Sequence, residues 1–306
     1  MKRYLQILLP VIALAGAGFA IYYFYYNQRA SVVTSAPDEH IGKSTESGDG
    51  EHDAIDTDPE IAIAPGQTGV RLEFHGTKMG ATVGRTTISF SDNGREYEIK
   101  ASARPAGVLR QLFSERFQLR TTGKLNGEKM IVGYFHNTTI KDDKKATKKE
   151  KIHSSEGGWK YTKYGKERKV DAKVFDGAID PLALLFHIGR TIDRTGKCNM
   201  TQNVFMDETG FIVTVTDKGR ASESGIKIAK KKIKEIRCDL VFKNRTGKVI
   251  KDYPFEHEFA KKSASRRANV ISVYYSKLNG NNFVPVFISV RETPIGEVKI
   301  KLSKIS

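Results

Sequence analysis

Few residues in this chain stand where covalent or metal chemistry would need them. Seven histidines are present, and none forms an HExxH or HxH pair, the spacings that aim two imidazoles at one metal. Glu256-His257-Glu258 gathers three titratable groups. On a strand these would alternate faces, so a solvated charged strand is the favoured reading. His187 lies inside an apolar block and reads as an interior histidine. Gly42-Lys43-Ser44-Thr45 resembles the end of a phosphate-binding loop, but the earlier glycine is replaced by Pro37 and no strand precedes it. There is no GxSxG, and no cysteine stands beside a histidine. Metal, nucleotide and hydrolytic chemistry lack their residues, and the expectation is a non-enzyme without a cofactor.

The element that dominates the reading is FDGAIDPLALLFHIGR, residues 175–190. Asp180 is a good N-cap and Pro181 a good first helical residue. Leu182, Leu185, Phe186 and Gly189 share one face, and Leu184 and Ile188 cover the next. A helix apolar on nearly every side must be enclosed. Burying Leu182, Leu184, Leu185, Phe186 and Ile188 is worth roughly 8–15 kcal/mol as an upper bound. Arg190 and Arg194 sit toward its C-terminus, where the helix dipole favours cations.

Around this helix the chain reads as strands. RLEFHG, ATVGRTTISF, REYEIKASA, ERFQLRTTGKL, KMIVGYFHNTTI and WKYTKYG precede it, and QNVFMD, FIVTVTDKG, CDLVFKN, VISVYYSKL, FVPVFISVRE and GEVKIKLSKI follow. Asn93-Gly94 and Asn126-Gly127 are strong hairpin dipeptides. Gly157-Gly158, Thr209-Gly210, Thr246-Gly247 and Asn279-Gly280 extend the series of turn signals. Local turns of this kind imply an antiparallel meander. The spacing predicts a mainly β domain over 69–306: a curved antiparallel sheet, or half-barrel, wrapping the short helix. Two readings of that cup stay open. Leu182, Leu185 and Phe186 face an apolar ligand, or the helix plugs the sheet.

Before the domain, Lys2 and Arg3 precede an uncharged run over residues 5–26. At helical rise it spans about 33 Å, against roughly 30 Å of hydrocarbon. Basic residues before it and acidic residues after it place residues 1–4 in the cytoplasm and the rest outside. A signal-anchor in a bacterial inner membrane, with residues 69–306 in the periplasm, is expected. A cleaved and exported form is the alternative, since Ala15-Gly16-Ala17 and Gly18-Phe19-Ala20 resemble small-residue cleavage sites. Residues 27–68 lack a sustained apolar period and read as a flexible acidic linker.

Charge divides along the same boundaries. The total is +16; residues 1–26 carry +2 and residues 27–64 carry −7, which leaves +21 for 65–306. The runs KDDKKATKKEK (141–151) and KIAKKKIKEIR (227–237) are read first as solvated faces, the earlier one largely as a hairpin loop. Outside the cytoplasm the polyanion they would meet is an anionic lipid headgroup or envelope polymer, not nucleic acid. Cys198 and Cys238 are the only cysteines. An even count in an oxidising compartment points to a disulfide, worth roughly 4 kcal/mol by chain-entropy arguments.

Asp180, Pro181, Leu182 and Arg190 in the 175–190 block resemble the central motif of the bacterial exported proteins grouped as DUF3108. Tyr97, Ala101 and Gly107 in YEIKASARPAGVLRQLF resemble that family's early strand and bend, and Cys198 and Cys238 its cysteine pair. The resemblance covers about residues 69–306. It implies a curved sheet around a helix, similar to periplasmic lipoprotein-carrier folds, and no activity. The functional expectation is a membrane-anchored envelope module that takes an apolar or lipid ligand in a β-cup. The alternative is a non-catalytic scaffold of an envelope assembly. The inner membrane is the expected partner.

Overall fold

The computed structural model describes residues 68–107, 110, 115–127, 129–141, 146–155, 158–206, 209–222, 225–228, 231–247, 270–278, 282–290 and 297–306. The segment 5–26, the linker up to residue 67 and Glu256-His257-Glu258 lie outside them.

Two meanders build the sheet. The first is β1 (Thr68–Lys78), β2 (Ala81–Asp92), β3 (Glu96–Pro105), β4 (Glu115–Asn126), β5 (Lys129–Lys141), β6 (Ala146–Ser155), β7 (Gly158–Lys163) and β8 (Lys166–Arg168). A 3-10 turn, Ala172–Val174, and the two-residue β9 (Ala178–Ile179) then lead into the helix α1 (Pro181–Thr195). The second meander follows: β10 (Met200–Met206), β11 (Thr209–Ala221), β14 (Glu235–Gly247), β15 (Ile271–Leu278), β16 (Asn282–Val290) and β17 (Val298–Ile305). Between β11 and β14 a separate ladder joins β12 (Lys227–Ile228) to β13 (Lys231–Lys232).

The result is one 15-stranded sheet in the order β8-β7-β6-β5-β4-β3-β2-β1-β17-β16-β15-β14-β11-β10-β9. Every ladder is antiparallel except β9 with β10. β1 pairs with β17, so the two meanders join at the first and last strands of the domain. The segment 169–177, with its 3-10 turn, therefore links the two outer ends of the sheet, and α1 joins β9 to its parallel partner β10. Those ends meet through aromatic packing. Phe175, just after the 3-10 turn, lies 5.4 Å from Trp159 of β7 and 5.4 Å from Phe205 of β10, and Phe205 meets Phe135 of β5 at 5.7 Å. Edge-to-face and tilted contacts of this kind are favourable beyond area burial alone. A β-barrel-like shell results, with α1 inside it.

Period-two patterning explains which side faces in. In β17 Val298, Ile300 and Leu302 are buried while Lys299, Lys301 and Ser303 are exposed. In β3 Tyr97, Ile99, Ala101 and Ala103 are buried. On the other face, Tyr274 of β15 packs tilted against Phe287 of β16 at 5.1 Å, with Arg237 over one ring and Lys301 over the other. Strands β15 and β16 are thus buried on both faces, which is why their sequences read as nearly continuous apolar runs.

The turn signals divide. At Asn93-Gly94 the Asn93 side chain accepts the amides of Arg95 and Glu96, and Gly94 takes a φ of 82°. Gly127 turns β4 into β5 at φ 59°. Gly107, just beyond the third strand, takes a φ of 58°, and a side chain there would overlap the carbonyl of Thr82. Thr209-Gly210 and Thr246-Gly247 are not turns. They face each other inside the β11–β14 ladder, where the register shifts between Gly210 and Phe211; glycine there marks a bulge. The lysine run 141–151 also differs from the loop expected of it. Most of it belongs to β6, paired with β5 from Ala146 onward. Ile152 of that strand is buried and stands among lysines in the sequence, too sparse an apolar pattern to show as alternation.

Candidate functional site

Asp180 and Pro181 start the helix as their types demand. Asp180 is extended at φ −79°, ψ 165°, and its Oδ1 accepts the amides of Leu182 at 2.9 Å and Ala183 at 3.1 Å. Gly196 ends α1 in the left-handed conformation at φ 71°, the usual glycine C-terminus. The helix continues past Arg190 to Thr195. Thr191 and Thr195 return their hydroxyls to the carbonyls of His187 and Thr191.

The shell closes on α1 from several sides. Phe186 stacks on Phe90 of β2 with ring centroids 4.5 Å apart. The Tyr275 hydroxyl of β15 donates to the Leu185 carbonyl at 3.0 Å. Asp193 accepts the Phe283 amide of β16 at 2.9 Å. Arg190 donates to the Gly127 carbonyl at 3.2 Å and lies beside Asp92. Leu182, Leu185 and Phe186, the candidate ligand-facing residues, are 0%, 2% and 4% exposed and belong to the continuous core. His187 is buried in the same helix.

Beneath the N-terminus of α1 lies a polar cluster that the pattern of apolar residues did not reveal. Asp180 is fully buried, with Thr121 of β4 and Tyr97 of β3 beside it. Among the described residues Asp180 Oδ2, Thr121 Oγ1 and the Tyr97 hydroxyl have no well-directed hydrogen bond. A Cβ on Gly123 would overlap the Ile131 carbonyl of β5 and meet the Tyr97 hydroxyl at 2.8 Å, so that glycine makes room for both the strand and the tyrosine. Burial pushes the Asp180 carboxyl from 3.8 up to about 6, against the downward pull of the Ala183 and Leu182 amides and the Thr121 hydroxyl. The Tyr97 hydroxyl is pushed far up by burial and then by Asp180.

A raised carboxyl pKa fixes the sign of a pH effect. Between about 4 and 6 the folded state keeps a proton that the unfolded chain releases. The contribution of Asp180 is therefore fully present below about pH 4 and is lost as pH rises through 6, a change of about 3 kcal/mol. Asparagine in its place would cap equally well and would not titrate. We expect Asp180→Asn to gain about 3 kcal/mol over the wild type between pH 4 and pH 7, read as the difference in urea-unfolding free energy. A difference that stays constant with pH would show that Asp180 is not buried as described.

Cys198 and Cys238 form the expected disulfide, with Cα atoms 6.2 Å apart and both residues buried. It ties the segment after α1 to β14, and Asp217 of β11 accepts the Cys198 amide at 3.1 Å.

A concavity remains at one rim, an open groove of about 400 Å³ where β11, β14, β15 and β16 end. Ile233, Ile236 and Phe283 supply apolar surface, and Arg220, Lys234 and Lys277 supply charge. Glu235 is buried beneath them, and the Ser276 hydroxyl donates to the Lys234 carbonyl at 2.8 Å. Among the described residues none of the three cations has an ion-pair partner. Phe283 links groove and helix: its amide bonds Asp193 and its carbonyl lies against Gly189. Sequence reading did not assemble this site, because its residues come from separate strands and one connection and share no motif.

Among the described residues no group of three or more His, Cys, Asp or Glu side chains is placed to hold a metal ion. No helix among them is long and apolar enough to cross a membrane.

The fold and site define a β-barrel-like domain closed around a central helix, with a basic, partly apolar groove at one rim. Compared with known proteins, no family model matches the chain, so the likeness to DUF3108 rests on its motif residues alone. No curated protein matches either. Among solved structures it is similar to the crystal structure of a β-barrel-like protein of a domain of unknown function, DUF1849, from Brucella abortus. The two share 12% identity over 78% of this chain and 97% of that one, with a TM-score of 0.47.

Proposed function

We propose that the chain is a non-catalytic envelope module, held at a bacterial inner membrane by residues 5–26, whose periplasmic domain binds an anionic amphiphile. The DUF3108-like motif of residues 175–190 belongs to this reading, and a disulfide suits an oxidising compartment. Leu182, Leu185 and Phe186 of α1 are buried in the core, which favours the rim groove over the barrel interior as the ligand surface. The observation that carries the proposal is the composition of that groove. Three cations without ion-pair partners among the described residues stand beside the apolar side chains of Ile233, Ile236 and Phe283. Cations there attract a phosphate headgroup, and the apolar side chains take the first carbons of its chains. A volume of about 400 Å³ lies within the range of small-ligand sites and does not hold a whole phospholipid.

The test uses the full chain in a neutral detergent, titrated with dihexanoyl-phosphatidylglycerol and, as a neutral control, dihexanoyl-phosphatidylcholine. The expected result is binding of the anionic probe that weakens at least tenfold in Lys234→Glu/Lys277→Glu. Equal affinity for both probes, or no change in the variant, would remove the groove as a lipid site. Lipid mass spectrometry of the natively purified chain gives the second readout, with a phosphate-headed lipid expected in the wild type and depleted in the variant.

A further inference from the structure

We propose that the groove has an intramolecular competitor: residues 54–63 of the linker dock in it and hold it against anionic ligands. The competition rests on the reading above; the contact itself does not.

Three observations point the same way. The first is charge. Residues 27–64 carry net −7, and the groove presents Arg220, Lys234 and Lys277 without ion-pair partners among the described residues. The second is composition. Residues 54–63 read AIDTDPEIAI, so Ile55, Ile61 and Ile63 are interspersed with Asp56, Asp58 and Glu60. That mixture of aliphatic and carboxylate side chains complements a groove of Ile233, Ile236 and Phe283 beside three cations.

The third is the place where the linker joins the sheet. Leu72 of β1 pairs with Ile305 of β17. β17 runs antiparallel to β16 with Lys301 opposite Phe287, so the C-terminal end of β17 and the start of β16 at Asn282 lie toward the same rim. Phe283 in turn pairs with Lys277 of β15. The start of β1 and the groove therefore share one rim. Two strand spacings separate β1 from β16, and three and four separate it from Lys277 on β15 and from β14 beside Lys234, a span of roughly 10–19 Å. The eight residues from Glu60 to Thr68 reach roughly 26 Å when extended, enough to cover that span. Tethering at this distance gives an effective concentration on the order of millimolar, so even a weak contact is populated.

Zero-length carbodiimide coupling on the full wild-type chain tests the contact, because it joins only carboxylates and amines that touch. Lys124 of β4 is the internal control. It is exposed and pairs with Glu96, on the same rim and three strands from β1 in the other direction. Docking predicts that Asp56, Asp58 and Glu60 couple to Lys234 and Lys277 at least fivefold more than to Lys124. Coupling should fall at least fivefold in 1 M salt, where the screening length is about 3 Å. Equal coupling to all three lysines, or none between 54–63 and the groove, would overturn the proposal. In Asp56→Asn/Asp58→Asn/Glu60→Gln the anionic probe of the previous section should bind several-fold tighter; unchanged affinity would remove the competition. Lipid binding without this coupling would sink the inference and leave the function standing, and coupling without lipid binding would do the reverse.

Discussion

Leu185→Asp is expected to abolish the folded state. Leu185 is 2% exposed, within the core that α1 shares with the sheet. An aspartate there would carry a charge into an apolar interior, at a cost of several kcal/mol even after relaxation. Small domains have about 5–15 kcal/mol of stability in total, and the variant also forfeits the leucine's own burial, about 2–3 kcal/mol. Circular dichroism of the purified chain should show no cooperative thermal transition, while Leu185→Met, which conserves volume, should melt within a few degrees of the wild type. A Leu185→Asp protein that melts cooperatively would mean that the helix surface is wet.

Gly189→Ala should destabilise by about 3 kcal/mol, although alanine is the better helix former by about 1 kcal/mol. A Cβ at Gly189 would overlap the carbonyl oxygen of Phe283. That oxygen belongs to the backbone of β16, so no side-chain rotation relieves the overlap and the helix or strand must move. For a domain of this size the loss lowers the melting temperature by roughly 10 °C. A higher melting temperature, the result propensity alone would give, would rule out the close approach of α1 to β16. Because Phe283 also lines the groove, the same variant should weaken binding of the anionic probe.

The parts of this fold visible in the sequence are those with local causes. Asp180-Pro181 announces its helix because capping and first-turn chemistry involve only neighbours in the chain. Period-two patterns located most strands because one side of each faces the core. Strand β6 escaped because its buried Ile152 stands amid lysines in the sequence. Gly189 was placed on the apolar face, but its reason for being glycine lies 94 residues away at Phe283. The Asp180, Tyr97 and Thr121 cluster likewise joins three elements, and nothing local in the sequence connects them. Pairing of β1 with β17 spans the whole domain, a contact no short-range signal encodes.

That last pairing governs how the molecule can be made. Leu72 finds its partner only when Ile305 has been synthesised, so the earliest strand waits on the latest with one edge bare. Long sequence separation of this kind slows the search for the native state, and an unpaired edge invites association with other chains meanwhile. Loss of the eight residues of β17 would therefore do more than shorten the protein: it would split one continuous sheet into two halves joined only by the chain between β8 and β9, the aromatic contacts of Phe175, Phe205 and Phe135, and the packing of α1.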